Sequence, residues 1–275
     1  MFDFLRKFLG QQTLNYYHLA MAIVANFVYG FPARRLRVIG VTGTDGKTTT
    51  VHMIASILRT AGLPTAHLST VTAQIGDKIF DTGLHTTTPS SFFLQRTLRQ
   101  MVRAGMKFAV LEVTSHALDQ YRTWGIQFET AVITNVSHEH LDYHHDLNQY
   151  MVAKARLFRN VKYAILNRDD WSYEHLTLAL SGVRRGKLIT YGLDKEVDVW
   201  ADNIKEDLTG TEFIAHVADQ TFPVKLNLPG RFNVSNALAG IAVALVYKIP
   251  TDKIQTGLMD INGINGRLEM IGKRV

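Results

Sequence analysis

The chain has 275 residues, 46% of them hydrophobic and 20% charged, with 20 glycines and six prolines, which excludes disordered, collagenous and low-complexity classes and points to a folded core. It has no cysteine, so a disulfide scaffold, a thiolate zinc site and a cysteine nucleophile are excluded together, and any metal must take oxygen or imidazole ligands. The 30 Lys and Arg against 24 Asp and Glu give a net charge of +6, but they are scattered without a dense basic run, which argues against nucleic acid and suits phosphate-rich small substrates.

The first element is an apolar stretch over 14–29 (LNYYHLAMAIVANFVY), with Arg6 and Lys7 before it and Arg34, Arg35 and Arg37 after it. It is shorter than the roughly 20 apolar residues a spanning helix needs and carries Asn15, His18 and Asn26. No small-residue cleavage motif follows, which argues against a removed signal peptide. The stretch reads as a buried or amphipathic helix, with peripheral membrane contact as an open role. Phe31 and Pro32 mark a boundary between this segment, 1–33, and the remainder, 34–275.

From residue 36 onward, short β-rich runs alternate with helical patterns, the signature of a mostly parallel sheet flanked by helices. A strand is expected over 36–41. A helix follows from Lys47, with Val51, Ile54, Ala55 and Leu58 at helical spacing, and stops at Gly62. Segment 65–84 contains a hairpin-like TAQIGDKIF and reads as part of a substrate wall. Further strands are expected over 107–113, 130–135 and 162–167, and helices around 91–104 and 147–159. The stretch 187–228 alternates with turn residues and reads as a small antiparallel β section at the sheet's edge. Helices over 233–247 and from Thr251 close the pattern.

The strongest chemical signal is Gly43-Thr44-Asp45-Gly46-Lys47-Thr48-Thr49 between an expected strand and an expected helix. There, backbone amides and a helix N-terminus hold phosphate, Lys47 reaches the β- and γ-phosphates of a nucleotide, and Thr48 ligates Mg²⁺. Only the second half of the G-x-x-x-x-G-K-[ST] pattern is met, because Val41 stands where the first glycine belongs. In open α/β sheets ligands bind beyond the carboxyl ends of strands. Two polar clusters fall there: Glu112-Val113-Thr114-Ser115-His116, and the run from Ser137 to His145 with His138, Glu139, His140 and Asp142. Beside a phosphate loop these suggest Mg²⁺ bridging ATP phosphates. Zinc hydrolysis fits poorly without H-E-x-x-H, and serine hydrolysis fits poorly without G-x-S-x-G.

Together these motifs resemble the central ATPase domain of the Mur ligase family, and most of all its tripeptide-synthetase branch. The loop is similar to GTNGKTT, with Asp45 for Asn; 112–118 (EVTSHAL) is similar to EVSSHAL; and 135–144 (NVSHEHLDYH) is similar to NLSRDHLDYH. YMVAKARLF at 150–158, GRFNVSNAL at 230–238 and GRLE at 266–269 complete the set, so the likeness covers about residues 36–270. It implies ATP bound by the 43–49 loop with Asn135, Asn236 and Arg267, and a divalent metal on Thr48, Glu112 and His140. Thr87, Thr88, Thr114, Ser115, Gln120 and Arg122 would hold the UDP-N-acetylmuramoyl-dipeptide. Lys154 aligns with a lysine that family members carbamylate into an anionic metal ligand, which an ammonium beside Mg²⁺ is not.

The resemblance further implies a cytoplasmic ligase of peptidoglycan precursor synthesis that joins a third amino acid, diaminopimelate or lysine, through an acyl phosphate. The family's uridine-binding and C-terminal domains have no counterpart in the sequence, so the chain is expected to hold the central part, with a partner chain as one source of the rest. Relatives sharing this core, of the folylpolyglutamate and cyanophycin synthetase types, are disfavoured by TSHALDQYR at 114–122. A non-catalytic nucleotide-binding module is the alternative of another class.

Overall fold

A computed structural model of the chain describes residues 11–82, 89–137, 146–181 and 186–263. At its centre β1 (Arg37–Thr42) is buried at every position after the first, as expected of a parallel strand covered on both faces. It pairs in parallel with β5 (Phe108–Glu112) on one side and β6 (Phe128–Ile133) on the other. Beyond β5 lie β2 (Thr65–Leu68), parallel to it, and the antiparallel hairpin β3 (Thr72–Ile75) and β4 (Lys78–Asp81). Beyond β6 lie β7 (Tyr163–Asn167) and β8 (Lys187–Gly192), both in parallel register, then β9 (Val199–Glu206), β10 (Thr211–Val217) and β11 (Gln220–Leu226). All belong to one sheet of 11 strands, ordered β11-β10-β9-β8-β7-β6-β1-β5-β2-β3-β4.

One expectation is corrected. The strand over 187–192 does not belong to the antiparallel section, because β8 runs parallel to β7 and only β9, β10 and β11 are antiparallel to one another. The chain reaches β8 through the helix Ser172–Ser181, and a crossover of that kind returns a strand in the same direction. Its half-exposed alternation resembles that of an antiparallel strand, which is why sequence pattern alone misassigns it.

Two helical layers cover the sheet. On one face α2 (Lys47–Thr60), α7 (Phe232–Val246) and α8 (Thr251–Met259) bury Ile39, Val41, Val110 and Val132. On the other, α3 (Ser91–Arg103), α5 (Leu147–Ala155) and α6 (Ser172–Ser181) bury Val38, Ala109, Leu111 and Ile133. The alternation of these strand residues between faces is the period-two consequence of the pleat. A short α4 (Ser115–Asp119) follows β5, with the Thr114 hydroxyl accepting from the Ala117 amide.

The apolar N-terminal stretch is α1 (Gln11–Tyr29), which packs along α3 and buries Ala22, Ala25 and Asn26. The asparagines that spoil it as a membrane span are its anchors: Asn26 Nδ2 donates to the Trp124 carbonyl at 2.8 Å, and Asn15 Nδ2 to Asp119 Oδ2 at 3.1 Å. Among the described residues no helix is long and apolar enough to cross a membrane.

An imidazole pair joins α2 to β2, His67 buried and His52 partly so. The rings of His52 and His67 stand 4.4 Å apart, Arg59 Nη1 donates to His67 Nδ1 at 3.3 Å, and His52 Nε2 meets Thr72 Oγ1 at 3.1 Å. Burial first, and the nearby Arg59 cation second, push His52 down to about 4, while burial, His52 and Arg59 hold His67 well below the usual imidazole range. The folded chain therefore refuses protons that the unfolded chain accepts, so stability is full above about pH 6.5 and falls as pH drops toward about 4. Thermal unfolding at pH 7.5 and pH 5.0 is expected to show a loss to which His52 contributes about 2 kcal/mol. His52→Gln, which keeps a hydrogen-bonding partner for Thr72, should reduce that pH dependence; an unchanged dependence would contradict the assignment.

Candidate active site

The loop that leaves β1 is short because the strand continues through Thr42, and Val41, where a longer phosphate loop would have glycine, pairs in register with Glu112. Residues 43–46 then turn the chain into α2. Two positions demand glycine: Gly43 has φ 149° and a Cβ there would sit 1.8 Å from Thr134 Oγ1, and Gly46 has φ 76° with a Cβ 2.2 Å from Asn236 Oδ1.

The carbonyls of residues 43–45 are each taken up by a side-chain donor. Lys154 Nζ donates to Gly43 O at 2.6 Å, Lys47 Nζ to Thr44 O at 2.6 Å, and Thr134 Oγ1 and Asn135 Nδ2 to Asp45 O at 2.6 and 3.2 Å. Its first two amides after Gly43 are framed too, Thr44 N by Asn135 O at 2.9 Å and Asp45 N by Asn135 Oδ1 at 2.9 Å. The amides of Gly46, Lys47, Thr48 and Thr49 meet no acceptor among the described residues; those of 47–49 are first-turn donors that a helix cannot satisfy internally. They face a cleft of about 710 Å³ lined by the 44–49 loop, Asn135, Phe232, Ser235 and Asn236. Four adjacent amides at a positive helix end constitute an anion site.

Beneath the start of α2 lies a carboxylate. Glu112, buried at the end of β5, accepts from Thr48 Oγ1 at 2.9 Å, from the Thr70 amide at 3.0 Å and from the Thr70 hydroxyl. A hydroxyl and a carboxylate in contact are hard oxygen donors, the chemistry Mg²⁺ takes. Among the described residues no three His, Asp or Glu side chains converge, so the protein's contribution to such a site is sparse there.

The structure thus brings together Gly43, Thr44, Asp45, Gly46, Lys47, Thr48, Thr49, Glu112, Asn135 and Asn236. Asn236 is the floor of the loop rather than a free arm: its Oδ1 accepts from Thr50 Oγ1 at 3.3 Å and its Nδ2 donates to Asn233 at 3.1 Å. Lys154, only 1% exposed, lies behind the loop with its ammonium 4.1 Å from the Tyr150 ring centroid. Thr114 caps the start of α4, Ser115 opens it, and Gln120 and Arg122 follow it, all off the cleft lining. Thr87, Thr88, His140 and Arg267 lie outside the described residues, as does the rest of the His-rich run over 138–145.

Several participants were not singled out by sequence. Thr70 and Thr134 hold Glu112 and the loop, and the Tyr150 hydroxyl meets Thr44 Oγ1 at 3.2 Å, which itself accepts from the Ser137 amide. Asp170 accepts from Val136 N at 3.2 Å while Trp171 Nε1 donates to Val136 O at 2.5 Å, fixing the strand exit that carries Asn135. Phe232, 57% exposed on the cleft wall, had one available signal: a bare aromatic at the first position of an otherwise buried helix.

Residues 41–244 match the Mur ligase middle domain. The chain belongs to the Mur ligase family. It is 38% identical over 261 residues to the UDP-N-acetylmuramoyl-L-alanyl-D-glutamate–2,6-diaminopimelate ligase of Listeria monocytogenes, covering 92% of this chain and 52% of that one. With the ligase of the same name from Geobacillus kaustophilus it shares 39% over 264 residues, again 92% and 52% of the two chains. A solved structure bearing that ligase name superposes with a TM-score of 0.75 at 32% identity, covering 83% of this chain and 47% of the other. This Mur ligase chain therefore spans about half the length of the relatives it matches.

The contact between Gly46 and Asn236 can be tested directly. Gly46→Ala is expected to cost about 1–3 kcal/mol of stability, from the left-handed backbone and the 2.2 Å overlap, and to abolish anion binding at the loop. Chemical denaturation of Gly46→Ala, Asn236→Ala and the double variant should show the second change relieving part of the first. Strict additivity would mean the two groups do not press on each other.

Proposed function

We propose that this chain is the ATP-binding core of an amide-forming ligase that extends a UDP-N-acetylmuramoyl-dipeptide by one amino acid, the relatives' names pointing to diaminopimelate. The single observation that carries the reading is the row of unpaired amides at 46–49 set over the Thr48–Glu112 contact, since a nucleoside triphosphate needs anion donors and oxygen ligands for its counter-ion side by side.

In this reading the amides of 46–49 hold the β- and γ-phosphates and Lys47 adds positive charge beside them. Phe232 and Ser235 form the outer wall for the nucleoside, and Asn135 keeps the loop in shape. Mg²⁺ would be held by Thr48 and Glu112, with His140 and a carbamylated Lys154 as further ligands from the resemblance, and would neutralise phosphate charge. The dipeptide's terminal carboxylate oxygen attacks the γ-phosphorus as the bond to the β,γ-bridging oxygen breaks, leaving ADP and an acyl phosphate. The incoming amine then attacks the acyl carbon, a tetrahedral intermediate forms and loses its proton, and the C–O bond breaks to release phosphate and leave an amide. Positioning and fixed dipoles carry most of such a rate enhancement.

Thr114, Ser115, Gln120 and Arg122 follow Glu112 on the same strand exit, and with Thr87 and Thr88 they form the proposed muramoyl-peptide wall. Arg267 would complete the nucleotide contacts. Parts of the ligase that these residues do not supply, including selection of the amino acid, would come from other portions of the protein or from a partner chain.

Mass spectrometry after mixing the chain with Mg-ATP, UDP-muramoyl-Ala-Glu and diaminopimelate or lysine tests the proposal. A tripeptide product that disappears in Lys47→Ala establishes the ligase. Isothermal titration with ATP separates the layers: Lys47→Ala should weaken binding by at least about tenfold with an unchanged unfolding temperature. Equal ATP affinity in both proteins would sink the assignment of the loop.

A further inference from the structure

A second surface, sharing no lining residue with the ATP cleft, combines features that call for one kind of partner. α1 has no charged residue in its 19 positions, and its outward side shows Tyr16 68% exposed, Phe27 69% and Val28 63%, with Ala20 and Val24 between them at helical spacing. An outward helix face ordinarily carries charge, so an uncharged aromatic and aliphatic stripe marks a contact surface.

The charge lies beside the stripe instead of on it. Segments 11–36 and 89–107 contain Arg34, Arg35, Arg96, Arg99, Arg103 and Lys107 and no acidic residue, a surplus equal to the +6 of the entire chain. None of these six side chains is in an ion pair among the described residues. The two features are continuous. Phe27 to Gly30 form one wall of a cleft of about 480 Å³ whose other wall is Arg96, Arg99, Gln100 and Arg103. Past Phe27, its ring meets Phe31 at 5.2 Å, and the Arg34 guanidinium lies 4.3 Å from the Phe31 centroid.

We propose that this face docks on a membrane surface containing anionic phospholipid, with Val24, Phe27 and Val28 entering the acyl boundary and the arginines taking headgroup phosphates. Charge complementarity selects this occupant. A nucleic acid would neutralise the arginines and leave the apolar stripe in water, whereas an anionic bilayer satisfies both at the depth an interfacial helix reaches. Arginine's planar fork suits the phosphates.

The test is sedimentation of the full chain with phosphatidylcholine vesicles and with vesicles containing about one quarter phosphatidylglycerol, in about 0.1 M and about 0.5 M salt. Binding is expected to the anionic vesicles, about tenfold weaker or more without phosphatidylglycerol, in high salt, and in either Phe27→Ser/Val28→Ser or Arg96→Ser/Arg103→Ser. Unchanged ATP affinity and unfolding temperature in both double variants show that the fold is intact. The proposal is overturned by equal binding to both vesicle types, by no binding, or by anionic binding that survives Phe27→Ser/Val28→Ser. Full competition by soluble glycerol phosphate, which would mean a small-anion site, also overturns it, as does Phe27-dependent self-association in place of lipid binding.

Discussion

A phosphate loop works only if its carbonyl oxygens turn away from the ligand, because a peptide that points its oxygen into the cleft presents a lone pair to an anion. In this chain the carbonyls of three successive residues, Gly43, Thr44 and Asp45, are each taken up by side chains, those of Lys154, Lys47 and the Thr134–Asn135 pair. With those oxygens held, the following amides at 46–49 are left facing the cleft. The two glycines serve the same constraint, since Thr134 and Asn236 approach the loop more closely than any β-carbon would permit.

The sheet supplies those captors at no cost in irregular backbone. β1 lies between β5 and β6, so the ends of three neighbouring strands deliver the loop, Glu112 and Thr134–Asn135 to one crevice, at the point where successive connections leave in opposite directions. β2 adds the chain that carries Thr70 to Glu112, and α7 brings Asn236 down on Gly46. Lys154 is the most buried charge in this arrangement. Its ammonium donates to the Gly43 carbonyl and lies over the Tyr150 ring, so a change of its charge state would be felt at Gly43.

The local parts of this were legible in the sequence, and the non-local parts were not. The glycine loop, Lys47, Thr48 and Glu112 stand out because their spacing and their place at strand ends carry meaning on their own. Thr70, Thr134 and Tyr150 look like ordinary residues of loop, strand exit and helix, and become site residues only when the fold brings together positions 42 to 106 apart. The direction of β8 was hidden for a related reason: its burial pattern is that of either strand type, and the crossover helix before it decides. The His52–His67 pair was unreadable too, since one residue lies on a helix and the other on a strand, with nothing in either local pattern to join them.

Charge shows how composition can point to the right ligand for the wrong reason. A net surplus of +6 suits a phosphate-rich substrate, yet the lining of the cleft at the 44–49 loop contains one lysine and one aspartate and is formally neutral. Its affinity for anions comes from peptide dipoles, which no count of side chains registers. Arg96, Arg99 and Arg103 sit instead beside α1, in no ion pair among the described residues and next to a stripe of apolar residues. A field built mainly from fixed amides, with one lysine held on the Thr44 carbonyl beside it, is preorganised for an anion, whereas a cluster of flexible arginines would have to reorganise. The two features share no lining residue, so this domain presents peptide dipoles at one cleft and arginine side chains at another.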